Sequence, residues 1–167
     1  MVDITDYISF AANDFIVDIF VGYNQSAAIS DQGKIYVWGR NDSGQLGDGN
    51  NQNVLLPKDI SNQFSFLAGE EITKVTFGQS HMLALTNQFR VFSSGDNTFG
   101  QLGNGLAVSS TNTPIEITGY FNQLTSSIID IETGANHNLA LTNNQDIYSW
   151  GSNEKYQLGA QFVTNQT

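Results

Sequence analysis

Short apolar runs, broken every few residues by Gly, Asn, Asp or Ser, fill the chain from end to end. Ile72–Phe77 interleaves apolar and polar residues and stops at Gly78. His81–Thr86 is a compact apolar run, and 89–93 follows it after the turn-like Asn87 and Gln88. Runs of this length and residue type, bounded by turn formers, predict strands joined by hairpins. The same reading predicts strands at 16–21, 27–30 and 34–38 on one side and at 128–132, 138–142 and 146–150 on the other. Asp31-Gln32-Gly33 suits a tight hairpin loop, because Gly accepts positive φ at little cost. A fourth strand is predicted at 56–60 and 114–117, where Pro57 and Pro114 fit a strand start or a sheet edge. No window shows sustained helical periodicity. Segments 10–20 and 63–71 are apolar enough for a short helical turn.

These runs recur with a fixed step. Gly22, Gly78 and Gly134 are 56 residues apart, as are Gly39, Gly95 and Gly151. Gly-Gln-Leu-Gly occupies 44–47 and 100–103, and Tyr-Gln-Leu-Gly occupies 156–159. Three markers with one period define a repeat protein, read as one domain over 1–167 with repeats of 1–56, 57–112 and 113–167. Four short antiparallel strands per repeat is the blade pattern of an all-β propeller.

Composition narrows the function classes. Six basic residues face sixteen acidic ones, for a net charge of −10. Phosphate backbones need clustered Lys and Arg, and here they are scattered, so nucleic-acid binding is not expected. Cys is absent, which removes disulfides and thiolate metal sites. No apolar stretch is long enough for a membrane span, and Asp3 and Asp6 stand where a signal peptide would be basic, so a cytoplasmic protein is expected. His81 and His137 are the only histidines and sit at one repeat position, which fits strand-start side chains bonding a neighbouring loop rather than a metal site. Trp38 and Trp150 fit packing between blades. The Gly-Gln-Leu-Gly loops lack the Lys and the strand-to-helix setting of a phosphate loop, and their Leu is expected to plug between blades. Neither a catalytic triad nor a calcium loop is present, so no enzyme and no cofactor is expected.

The motif order carries a resemblance. The second copy reads Gly78, His81, Ala84-Leu85, Gly95-Asp96-Asn97 and Gly100-Gln101-Leu102-Gly103, and the third reads Gly134, His137, Ala140-Leu141 and Trp150-Gly151-Ser152-Asn153. The first reads Gly22, Gln25, Ala28-Ile29 and Trp38-Gly39-Arg40-Asn41. The chain resembles the regulator-of-chromosome-condensation repeat family along essentially its whole length. It departs from the pattern at Gln25 (usually His), Ser94 (usually Trp) and Tyr156 (usually Gly). The resemblance implies a propeller that is seven-bladed when complete. It also implies protein partners, including small GTPases such as Ran in members that act as exchange factors.

Three blades cannot close a ring without leaving two apolar blade faces open. Val2, Asp3, Ile4 and Thr5 align with Lys58, Asp59, Ile60 and Ser61, so they read as a fourth strand arriving ahead of its own repeat. Two readings follow: half of a six-bladed ring, closed by a head-to-tail homodimer in which each copy gives Val2 to Thr5 to the other, or a fragment of a larger propeller. The function expected is a non-enzymatic, protein-binding scaffold. Its partner surface is placed on the rim loops at Arg40, Asp42, Asp96, Thr98, Ser152 and Glu154. The alternatives are a regulator of a small GTPase, acting like an exchange factor, and a small-molecule or glycan-binding propeller using Tyr36, Trp38, Tyr148 and Trp150.

Overall fold

A computed structural model describes residues 2–106, 109–121 and 126–159. Its strands form three antiparallel sheets. The first joins β1 (Ile16–Val21), β2 (Gln25–Ser30), β3 (Ile35–Gly39) and β4 (Val54–Asp59), and the second joins β5 (Ile72–Phe77), β6 (His81–Thr86), β7 (Val91–Gly95) and β8 (Thr111–Glu116), each in chain order. The third holds β9 (Ile128–Thr133), β10 (His137–Thr142) and β11 (Ile147–Gly151), with no fourth strand among the described residues. Register repeats as closely as sequence does: Ala27 faces Val37, Leu83 faces Ser93 and Leu139 faces Ser149 across the middle hairpins.

The helical turn expected in 10–20 is not formed, because Ile16–Val21 pairs with β2 as a strand. Ladder bonds and the packing of a whole sheet outweigh a weak local preference. Of 63–71, only Gln63 is helical, as the last residue of a 3₁₀ turn, Ser61–Gln63. That turn follows β4 and links it to the next blade. Thr5–Tyr7 and Thr118–Phe121 are its counterparts at the start of the chain and after β8.

The cores lie between sheets. Ala27, Ile29, Ile35, Val37 and Leu46 of the first blade pack on Val75, Phe77, Met82, Ala84 and Phe92 of the second, with Ile60 and Phe64 beneath. Leu83, Leu85, Val91 and Ile117 pack in the same way on Ile128, Ile131, Ala140 and Trp150 of the third. The middle blade therefore buries one face against its predecessor and the other against its successor, while the first and third each bury one face. A fully buried Leu, Ile or Val contributes about 1.5–3 kcal/mol, so these junctions hold most of the apolar stabilisation.

Candidate functional site

The repeated loops are braced from within. The Asn41, Asn97 and Asn153 Oδ1 atoms accept the Leu46, Leu102 and Leu158 N–H groups at 2.8, 2.9 and 3.0 Å. The Gln45, Gln101 and Gln157 Oε1 atoms accept the N–H groups two residues earlier at 2.8–2.9 Å. Leu46, Leu102 and Leu158 are all buried beneath these loops, and Leu46 packs in the core between the first and second blades. The loop turns at Gly44 and Gly100 with φ of +76° and +78°, and Tyr156 takes φ +61° at the same place. A Cβ on Gly44 would stand 2.6 Å from the Asn112 Cα of the next blade.

Two kinds of junction join the blades. Between the second and third, the His81 Nε2–H donates to Asn138 Oδ1 at 2.7 Å, while the Asn138 amide and the Trp150 indole N–H both donate to the Gln101 carbonyl at 2.8 and 3.1 Å. The Asn138 amide donates elsewhere, so its oxygen must be the acceptor and His81 must carry its proton on Nε2. Burial pushes the His81 pKa down to about 4, against the opposing pull of Asn138. The imidazole lies so close over Gly78 that a Cβ there would stand 2.2 Å from Cε1, which accounts for the Gly-x-x-His spacing. Between the first and second blades, Gln25 and Ser94 take the His and Trp positions. Gln25 donates to the Gln79 carbonyl at 3.1 Å, and Ser94 Oγ reaches the Gln45 carbonyl at 3.5 Å. His81 thus bonds a side chain rather than a loop backbone. Sequence spacing could not show this, because its partner lies on another blade.

The outermost junction faces are open. Leu83, Leu85 and Val91 are at most 4% exposed, whereas Leu139, Leu141 and Ile147, one repeat later, are 39%, 36% and 70% exposed. Val75 and Phe77 are buried, whereas Ile19 and Val21 of the first blade are 71% and 79% exposed. Trp38 is half-buried on that same first face, and its indole N–H has no hydrogen-bond partner among the described residues.

The six rim residues sit at matched loop positions after β3, β7 and β11. Arg40 pairs with Asp42 at 2.9 Å, and this holds the Asp42 carboxyl below its usual range. Asp96 accepts the Thr98 hydroxyl at 2.7 Å and the Gln101 amide at 2.8 Å. Glu154 is exposed, but Ser152 is buried, its hydroxyl accepting the Gln157 amide at 3.1 Å. Ser152 is a brace of its loop and not a free surface group. Val2, Asp3 and Ile4 pair with no strand in the isolated chain, and Thr5 opens the first 3₁₀ turn. Tyr36 and Trp150 are not open to a ligand: Tyr36 is 2% exposed beneath Phe10, and Trp150 is 4% exposed within the second-to-third junction. A cavity of about 360 Å³ opens instead where the turns after β1, β5 and β9 meet, lined by Gly22, Tyr23, Gly78, Gln79, Gly134 and Ala135 among others. No helix among the described residues is long and apolar enough to cross a membrane.

An all-β array with this loop, glycine and junction chemistry defines a class, the repeat propellers. The chain belongs to the regulator of chromosome condensation (RCC1) repeat family, whose repeat pattern matches 32–85 and 90–141, and in a second form 16–45, 72–101 and 128–157. It is 36% identical over 146 residues to the human E3 ubiquitin-protein ligase HERC2, covering 86% of this chain and 3% of that protein. It is 36% identical over 134 residues to human RCC2, covering 80% of this chain and 24% of that protein. A mouse secretion-regulating guanine nucleotide exchange factor is 32% identical over 159 residues, covering 88% of this chain and 33% of that protein. The chain thus spans a third or less of each of these relatives. Prp20p from Saccharomyces cerevisiae superposes with a TM-score of 0.77 at 21% identity, over 91% of this chain and 36% of that one. Human WBSCR16 superposes at 0.72 and 23%, over 90% of this chain and 38% of that one. At these identities the structures establish the fold, a β-propeller of RCC1 type.

Proposed function

We propose that the chain is a non-enzymatic protein-binding and scaffolding propeller module that closes its ring with a second copy. One observation carries the reading: residues sealed at the internal junctions are exposed at the same repeat positions on the two outer faces. An apolar blade face of this kind is an interaction surface, and a blade is the shape that fits it. Two copies of three blades make six, within the usual range of propellers. In that ring Val2 and Asp3 extend the third sheet of the other copy. The loops carrying Arg40, Asp42, Asp96, Thr98 and Glu154 form one rim, on which a protein partner docks. Regulation of a small GTPase is the second reading. It is favoured by the likeness to the mouse exchange factor, and in this chain it would use the same rim. Light scattering tests the assembly: twice 18.3 kDa is expected, and a monomer across the micromolar range rejects it.

A further inference from the structure

The segment at Asp3, Ile4 and Thr5 is already folded as a clip. In the first blade, the Ile60 N–H donates to the Ile35 carbonyl at 3.0 Å and the Ile35 N–H donates to Ser61 Oγ at 3.0 Å. The second blade repeats this with Ile117 on the Val91 carbonyl at 2.8 Å and the Val91 N–H on Thr118 Oγ1 at 2.9 Å. One Ile and one hydroxyl therefore fasten the start of the third strand in each blade, and Ile60, Ile117, Ile35 and Val91 are all fully buried. The Ser61 N–H is turned back onto Asp59 Oδ1 at 2.9 Å, and the Thr5 N–H is turned back onto Asp3 Oδ1 at the same 2.9 Å. The anchor of the clip is also repeated. Phe10 meets the Tyr36 ring edge-on with centroids 6.2 Å apart, as Phe66 meets Phe92 at 6.3 Å. The clip thus hangs beside the first blade where the outer strand of a preceding blade would end.

Its counterpart stands at the other end of the molecule. Ile147 is the repeat equivalent of Ile35 and Val91, begins β11 and is 70% exposed. The surrounding faces match as well. The exit face of the third blade presents His137, Leu139, Leu141 and Ile147 where the second presents His81, Leu83, Leu85 and Val91. The entry face of the first blade presents Ile16, Ile19 and Trp38 where the third presents Ile128, Ile131 and Trp150. The two free faces are therefore the two halves of a junction of the second-to-third type.

Resting on the self-assembly reading above, we infer that a second copy of this chain docks by seating Ile4 and Thr5 on Ile147. In that clip the Ile4 N–H donates to the Ile147 carbonyl, and the Ile147 N–H donates to the Thr5 hydroxyl. Alongside it the His137 ring meets Ser26, which stands at the Asn138 position, and the Trp38 indole N–H donates to the Gln157 carbonyl. The junction departs from the internal ones at Tyr156. Its ring occupies the place where Gly44 lets the next blade approach, so the outer strand stands further off there, with the exposed Leu55 and Leu56 as its apolar neighbours.

Complementation between two variants tests the clip. Ile4→Asp puts a charge on the incoming segment and Ile147→Asp puts one on its seat, and neither side chain is buried in the single chain, so both variants should fold. Each alone should sediment at 18.3 kDa. Their mixture should recover a dimer, because one intact clip remains. Thr5→Val removes one hydrogen bond from each of the two clips and should weaken the wild-type dimer about thirtyfold. In a Trp150→Phe background, Trp38 emission should shift to the blue as the dimer forms. A dimeric wild type with either variant still dimeric alone, or with a mixture that stays monomeric, overturns the clip and leaves self-assembly standing. A monomeric wild type overturns both.

Discussion

Leu83 and Leu139 occupy the same place in successive blades, on strands of identical pairing, yet one is sealed and the other is 39% exposed. The difference lies entirely in what stands beside them. A blade of this fold has no core of its own; its core is the space between it and the next blade. Stability is then a property of junctions, close to a sum of nearest-neighbour contributions, and an end face is chemically a junction missing its other half.

The largest effect expected contrasts those two residues. Leu83→Asp should destabilise the chain by about 4 kcal/mol or abolish folding, because it buries an unpaired charge. Leu139→Asp should change the melting of the single chain by less than about 0.5 kcal/mol, as surface substitutions do. Chemical denaturation at concentrations too low for association would compare them, and equal losses would break the contrast.

The two internal junctions should differ in acid. The His81 pKa is lowered in the fold to about 4 from an ordinary 6.5, so between those values the unfolded chain binds the extra proton. Stability should therefore be complete above pH 6.5 and fall as the pH drops towards 4, by about 3 kcal/mol at the limit. His137, whose pKa burial also lowers, adds a smaller loss of the same sign. His81→Gln should remove most of this slope, since Gln25 shows that an amide can hold the position. A slope unchanged in that variant would place the acid sensitivity elsewhere.

Smaller effects come from positions where one copy does less well than another. Glu70 accepts the Thr86 hydroxyl at 2.7 Å and the Leu67 N–H at 2.7 Å, and it pairs with Arg90, which also holds Glu116. Asp14 is its counterpart, one methylene shorter, and both its buried carboxylate oxygens lack a partner, while the nearby Lys34 holds only Asp59 at 3.3 Å. Asp14→Glu should let the carboxylate reach Ser30 and Lys34 and stabilise by about 1 kcal/mol. Tyr156→Gly should relieve the left-handed backbone and stabilise by about 0.5–1 kcal/mol. Calorimetry would rank the two, and a destabilised glycine variant would show that the Tyr156 ring packs within the chain.

The sequence was legible wherever structure is local. Alternation at 72–77 and the turn formers around each hairpin marked the strands to within a few residues, because ladder and turn preferences act over such spans. The plug role of Leu46 between the first two blades was legible from the glycines around it. What stayed hidden depends on neighbours distant in sequence. Ser152 reads as a surface residue until its bond to Gln157 is seen, and His81 reads as a loop-binder until Asn138 arrives from the next blade. At 10–20 an apolar stretch read locally resembles a helical turn, and only pairing with β2 makes it a strand. Thr5 resembled a strand residue because its neighbours do; its turn follows from the Asp3 side chain capturing its N–H.

The outer edge of β11 has one further consequence. If a second copy finishes that edge, as proposed above, the protein's own concentration becomes a stability variable. The thermal midpoint would then rise with dose, and dilution alone would undo what heat undoes in a covalently closed ring.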